Sequence, residues 1–328
     1  MRVLSFAPAI AVHDLVKVFP RRGQAALRAV DGLAFTVAPG AIFGLLGPNG
    51  AGKTTTLRIL TTLARPTSGR VAILGHDVVA SPIEVRRRIS VVIQETAVEL
   101  FLSPRDNLLT FARFHGISGA EAGRRADRAI DLFGLGEHLG QKVQDLSGGF
   151  RRRVQVAKAF MVETPVIFLD EFSTGMDPIL KRAVMELLRA EAKRGRTIVL
   201  TTQILSEAEE LCDEILIINH GREVARGDLH SLKLLSQGVY EVALTFDRVP
   251  DGLEAEMAAR GALRVHVSGN TVELALKEDE QHVLALVSEL AKRGRVLRVE
   301  LGGASLEDVF VELTRPSLPT TPATGTVG

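Results

Sequence analysis

Residues 47–54 read GPNGAGKT, the spacing G-x-x-x-x-G-K-[ST], and they stand between an apolar run of strand length, AIFGLLG, and a helical stretch. Gly47, Gly50 and Gly52 let the backbone wrap closely, so its N–H groups and the start of the helix can face phosphate oxygens. Pro48, Asn49 and Ala51 complete the loop, and Thr55 continues into the helix. Lys53 supplies a point charge for β- and γ-phosphates, while the Thr54 hydroxyl can ligate Mg²⁺. Chance produces this pattern in roughly 1% of chains of this length, and its place after a strand and before a helix lowers that further. The residues therefore predict nucleotide binding.

A second segment, PVIFLDEF at 165–172, is an apolar strand ending in two carboxylates. Asp170 can hold the shell of a Mg²⁺ ion, and Glu171 can polarise water as a general base. A hydrophobic run ending in Asp-Glu is weak by itself and gains weight from the phosphate loop before it. Between the two lies LSGGF at 146–150, opening the helix RRRVQVAKAFM, where Ser147, Gly148 and Gly149 form another anion-binding arrangement or an ordinary N-cap. A further strand-to-helix junction, TTQILSEAEE at 201–210, places Gln203 either at a strand end or at a reacting centre.

The elements that must position these residues follow from periodicity. From about 10 to 230, short apolar strands alternate with helical patterns, which predicts an α/β domain with a mostly parallel sheet. Its strands are AIFGLLG, RISVVIQ, PVIFLD, TIVLTT and EILIIN, and its helices span 52–63, parts of 104–160, 178–194 and 206–211. Residues 1–9 read as an extension, 10–232 as this domain with a helical subdomain at about 95–160, and 236–315 as a small α+β module. In that module the order βαββαβ, with a hairpin turning at Ser268-Gly-Asn, predicts a ferredoxin-like fold closed by a helix in SLEDVFVELT. It carries no motif for chemistry and reads as a packing or dimer-stabilising module. The segment 316–328 lacks apolar periodicity and is expected to be disordered.

Bulk properties narrow the function classes. At 328 residues and 46% apolar composition the chain can bury a large core. A net charge of +1 offers no field for nucleic acid or an anionic surface, so phosphate binding must be local. One cysteine, Cys212, excludes an intrachain disulfide framework, suits a reducing cytoplasm and reads as a small core residue. The eight histidines show no metal-ligand spacing, and no apolar run reaches the ~20 residues of a membrane-spanning helix. A membrane role would need a partner chain.

The order of phosphate loop, glutamine in VVIQE, LSGG, Asp-Glu strand and GMDP at 175–178 resembles the nucleotide-binding domain of ABC ATPases over about residues 10–230. TTQILSEAEELCDEILIINHGREVARGD and the C-terminal SLEDVFVELT resemble the ATPase subunits of bacterial drug exporters of the daunorubicin-resistance type. The resemblance implies ATP and Mg²⁺ as ligands, hydrolysis at Glu171, and metal contacts from Thr54, Gln94 and Asp170. Phe19, in LVKVFP, is implied as the aromatic that stacks on adenine, with a core phenylalanine as the alternative. Gln94 is implied as a relay to a membrane partner or is a surface glutamine; Asp177 lies at a dimer seam, caps a helix before Pro178, or does both. The implied assembly is a dimer, most simply of identical chains, in which LSGG of one subunit closes over ATP held by the other. It would sit at the cytoplasmic face of the membrane on a separate transmembrane permease and export a drug-like or hydrophobic small molecule.

Three positions depart from the family pattern. Phe150 follows LSGG where glutamine is usual, Phe172 follows Asp-Glu where proline is usual, and Gln203 replaces the usual histidine. The phenylalanines remove no phosphate donor or carboxylate, so binding is expected to persist with altered packing. Gln203 can donate an N–H to the γ-phosphate but cannot exchange a proton at physiological pH. Competing classes are a soluble ABC protein acting on DNA or ribosomes and a regulatory nucleotide switch. The first would insert long coiled-coil heptads within 54–165 or join two ATPase units in one chain, and neither is present.

Overall fold

A computed structural model of the chain describes residues 7–94, 97–235, 239–277, 280–303 and 305–314. Residues 1–6 of the expected extension and the tail at 316–328 lie outside these. The chain divides into two compact units at Leu229/His230.

The first unit opens with β1 (Ile10–Phe19), β2 (Leu27–Val37), β3 (Ile42–Leu46), α1 (Lys53–Leu60), β4 (Ser68–Ile73), β5 (His76–Asp77), α2 (Pro82–Arg86) and β6 (Ile89–Val92). Three helices follow, α3 (Pro104–Phe114), α4 (Gly119–Leu132) and α5 (Gly148–Ala159). It closes with β7 (Val166–Asp170), α6 (Pro178–Lys193), β8 (Thr197–Thr202), α7 (Leu205–Leu211), β9 (Glu214–Asn219) and β10 (Arg222–Gly227). The central sheet has the order β10-β9-β3-β8-β7-β6, parallel except where β10 folds back on β9. Every residue of β3, β7 and β8 is buried, as expected of strands covered on both faces, and this is why their sequences run apolar without alternation.

A second, antiparallel sheet, β2-β1-β4-β5, is a feature that the strand–helix alternation did not predict. The segments at 10–37 are joined by a short polar link rather than a helix, so they pair as a hairpin. Leu33, Phe35 and Val37 alternate with exposed neighbours and point into a core shared with β3, where Phe35 stacks on Phe43 with ring centroids 5.2 Å apart. On the other side of the central sheet, α3, α4 and α5 form the helical subdomain around Phe133, Leu135, Val154 and Phe172. Ser103, Ser147 and Asp177 cap α3, α5 and α6 by accepting the backbone N–H three residues on.

From the division, where α8 (Leu229–Leu235) begins, the second unit runs through β11 (Val239–Phe246), α9 (Leu253–Ala259), β12 (Arg264–Ser268), β13 (Thr271–Lys277), α10 (Glu280–Arg293), β14 (Val296–Gly303) and α11 (Leu306–Thr314). Its antiparallel sheet has the order β12-β13-β11-β14, the ferredoxin-like arrangement expected from βαββαβ. Gly269, with φ of 58°, makes the hairpin turn at the expected place. Val242, Leu244, Phe246, Leu253, Met257 and Leu274 form the core of this unit. Among the described residues no helix is long and apolar enough to cross a membrane.

Phe172 stands where the family usually has proline and is fully buried in the larger core. Phe172→Ala is expected to lower the stability of the first unit by about 3–5 kcal/mol, measured by urea denaturation.

Candidate active site

Four strands of the central sheet end on the same side, and each delivers a residue to one place: β3 leads into the phosphate loop, β7 ends at Asp170, β8 leads to Gln203 and β6 to Gln94. Carboxyl ends of parallel strands are where open α/β sheets hold ligands, because connections to the helices diverge there and leave a crevice.

The loop is shaped by close approach. A Cβ on Gly47 would lie 2.3 Å from the Ile218 carbonyl oxygen, and one on Gly52 would lie 2.3 Å from that of Ala29. Gly52 is also left-handed, at φ 107°, immediately before α1. Lys53 folds back on the loop: Nζ donates to the carbonyls of Gly47 at 2.7 Å and Pro48 at 3.1 Å. Burial pushes its ammonium down from the ordinary value, and the carboxylates of Glu171 and Asp170 act against that shift. The loop and the acidic strand end therefore share one electrostatic site.

Asp170 is buried and accepts the Thr201 hydroxyl from the neighbouring strand. Glu171 adopts φ of 49°, a left-handed conformation that costs a non-glycine residue roughly 1–3 kcal/mol. Its N–H donates to the Thr201 carbonyl at 3.0 Å, and its carboxylate is held between two amides. Gln94 Nε2 donates to Oε2 at 3.1 Å and Gln203 Nε2 donates to Oε1 at 3.0 Å. A carboxylate only accepts, so both amides must turn their nitrogens toward it. Gln203 is itself placed by a clamp: Thr202 Oγ1 donates to the buried Glu207 at 2.9 Å and accepts the Ile204 N–H at 2.9 Å.

Arg152, Gln155, Thr201 and Glu207 belong to this site, and none was assigned a role from the sequence, although Thr201 and Glu207 lie within TTQILSEAEE. Arg152 is buried and donates to the carbonyls of Ile93 at 2.5 Å and Glu171 at 2.9 Å, and also to that of Asp170. Gln155 donates to the same Ile93 carbonyl at 2.7 Å and accepts from Arg152 at 3.1 Å. One guanidinium thus ties the ends of β6 and β7 to α5. The available signal was an arginine and a glutamine at i and i+3 on a helix whose members at 154, 156 and 157 are apolar. A cavity of about 290 Å³ is lined by Gln94, Gly148, Gly149, Arg152, Glu171 and Gly175.

Ser147 Oγ accepts the Phe150 N–H at 3.2 Å, and a Cβ on Gly149 would lie 2.5 Å from the Gly175 carbonyl. That contact packs the LSGG turn against the GMDP turn. Asp177 accepts the Leu180 N–H at 3.0 Å, which holds its carboxyl below the usual range, and pairs with Arg153 at 2.7 Å. Phe150 is buried edge-on against His138, with centroids 4.6 Å apart. Phe19 ends β1 and is exposed, with Lys17 Nζ 4.9 Å above its ring, so it is not a core residue. Cys212 packs beside Gly44 and burial pushes its thiol up.

The ABC transporter family profile matches residues 30–174. The chain is 39% identical over 310 residues to the daunorubicin/doxorubicin resistance ATP-binding protein of Streptomyces peucetius, covering 93% of this chain and 92% of that one. The chain belongs to the ATP-binding subunits of ABC transporters. This ABC ATPase is also 38% identical to the Nod factor export ATP-binding protein I of Paraburkholderia xenovorans, over 87% of its own length and 91% of the relative's. The dimeric structure of a bacterial ABC transporter cassette superposes with a TM-score of 0.63 at 25% identity, covering 67% of this chain and 98% of that one. Membership makes ATP the ligand and ATP hydrolysis the activity.

Replacing Arg152 by methionine removes the donor to three carbonyls at the centre of the site. Arg152→Met is expected to cost about 3 kcal/mol in urea denaturation, with part recovered by Arg152→Lys.

Proposed function

We propose that this ABC ATPase drives a separate transmembrane exporter, with two copies of the chain closing around two ATP molecules at the cytoplasmic face of the membrane. The observation that carries the catalytic reading is the Glu171 carboxylate held by Gln94 and Gln203 beside Lys53. Glu171 takes the proton of the attacking water, and its two amide partners keep the carboxylate aimed. The NH₂ of Gln203 has two hydrogens, so one can hold Glu171 while the other binds a γ-phosphate oxygen. Lys53, the loop N–H groups of 49–55 and Phe19 hold the nucleotide.

The residues present fit a Mg²⁺ ion. Asp170 is a single buried carboxylate, Thr54 brings a hydroxyl at the first turn of α1, and Gln94 keeps its amide oxygen after giving its nitrogen to Glu171. Bound there, Mg²⁺ would neutralise charge on the β- and γ-phosphates.

Two surfaces support the assembly. Ser147, Gly148 and Gly149 stand beside the Gly175–Asp177 turn, and Ile179 on the same turn of α6 is 85% exposed, an apolar side chain suited to cover by a second subunit. After Gln94, Phe101, just before α3, is 75% exposed and Phe114, at its far end, is 83% exposed, two separate aromatics suited to contact with a permease. The relatives are named for daunorubicin and doxorubicin resistance and for Nod factor export, so the cargo class supported here is a drug-like or amphiphilic small molecule, selected by the permease.

Glu171→Gln is expected to bind ATP, to hydrolyse it at least about 100-fold more slowly and to accumulate as an ATP-bound dimer; unchanged turnover would displace Glu171 as base. Gln203→Ala should slow turnover roughly 10- to 150-fold, the loss of one hydrogen bond to a charged group, and an unchanged rate would return Gln203 to a strand end. Gln203→His should introduce an inflection near pH 6.5 in the pH–rate profile. Steady-state ATPase rates with and without a co-expressed permease test the coupling, which the proposal requires to be positive.

A further inference from the structure

β14 forms one edge of the accessory sheet, paired with β11 on one side and with no other strand among the described residues. Val299 and Leu301 lie opposite Leu244 and Val242, which are buried in the core of this unit. Yet Val299 is 44% exposed, Leu301 48% and Leu297 58%. Soluble proteins usually blunt such an edge, because its free N–H and C=O groups and apolar row invite another strand. The charges here are placed differently. Arg298 and Glu300 flank Val299 and pair with each other along the exposed strand.

The stretch Leu297-Arg298-Val299-Glu300-Leu301 is complementary to itself when run antiparallel about Val299. Val299 then faces the partner's Val299 and Arg298 faces the partner's Glu300, twice by symmetry, with Leu297 left at the end of the match as the extra residue of a bulge opposite Thr245 and Phe246. Neighbouring registers lose this match. A shift of one residue sets a charge opposite Val299, and a shift of two sets Arg298 on Arg298 or Glu300 on Glu300.

We propose that β14 is a homotypic docking edge, to which a second copy of this chain adds its own β14 antiparallel and centred on Val299, joining two four-stranded sheets into one of eight strands. The contact uses the same patch on both copies and closes at two, so it forms a dimer without propagating. It involves neither nucleotide nor the first unit, and it gives the accessory unit a means of holding two ATPase chains together while ATP is absent.

The test is sedimentation velocity of the full-length chain without nucleotide, over a range of concentrations. The chain should dimerise. Arg298→Glu should raise the dissociation constant about tenfold, the size expected when two cross-strand ion pairs become like-charge pairs, and Glu300→Arg should do the same. The double variant, Arg298→Glu with Glu300→Arg, should return it to within about threefold of the parent. All these side chains are exposed, so folding is expected to survive, and circular dichroism checks it. In a Cys212→Ser background, Val299→Cys should be captured as a covalent dimer by a short bismaleimide, since the position lies on the two-fold axis and Cys212, which is partly exposed, is then removed as a competing thiol. A chain that stays monomeric without nucleotide, single variants that associate like the parent, or a double variant that fails to recover would each overturn the proposal. ATP-driven dimerisation of Glu171→Gln in the Arg298→Glu background, where the β14 contact is weakened, reports on the ATPase surfaces, so its failure would count against the proposed function and leave this result standing.

Discussion

The guanidinium of Arg152 is the constraint on which the geometry of the site depends. Three backbone carbonyls, from Ile93, Asp170 and Glu171, converge at the ends of two neighbouring strands, and one buried cation donates to all of them. Burial disfavours its charge, and the carboxylates of Asp170 and Glu171 favour it. A planar fork of five donors on three nitrogens spans carbonyls spread over two strand ends, a reach that the single nitrogen of an ammonium or a neutral amide lacks. Because Arg152 rides on α5, the helix that begins at LSGG, the position of that helix and the shape of the acidic strand end are set together.

The same economy governs the proposed base. Glu171 sits in a left-handed conformation that its side chain does not prefer, and it is kept there by the Thr201 carbonyl behind it and by two amides in front. One amide comes from the end of β6, before the surface proposed for the permease, and the other from the end of β8, clamped through Thr202 and Glu207. Any shift of either strand end would move the carboxylate. Under the proposed coupling, that linkage ties the segment facing the permease to the carboxylate that activates water.

Departures from the family pattern separate into two kinds. Phe150 and Phe172 are packing residues, one against His138 and one in the core, and neither brings a polar group to the site. Gln203 is different, because its amide makes a direct bond to Glu171. It keeps the donor geometry that a histidine could supply and removes the titration, which leaves proton transfer to the proposed base, Glu171.

Much of this was written locally. The phosphate loop is legible because each glycine, the lysine and the threonine act within eight consecutive residues, and the strand–helix alternation is legible because burial on both faces demands unbroken apolar runs. The ferredoxin-like order of the accessory unit follows from periodicity and one Ser-Gly-Asn turn. The antiparallel sheet of β1, β2, β4 and β5 was not legible, since its pairing joins segments that share only alternation. Nor were Arg152, Gln155, Thr201 and Glu207, whose residue types are common on any helix or strand and acquire meaning only by facing particular carbonyls and carboxylates. For TTQILSEAEE, the sequence determined the types, a strand end, a glutamine and an acidic helix; only the tertiary structure brought Gln203 to Glu171 and Glu207 to Thr202. Hydrogen bonds between residues 32 apart in the chain are decided by how strands line up in the sheet, and that alignment is a property of the packed core.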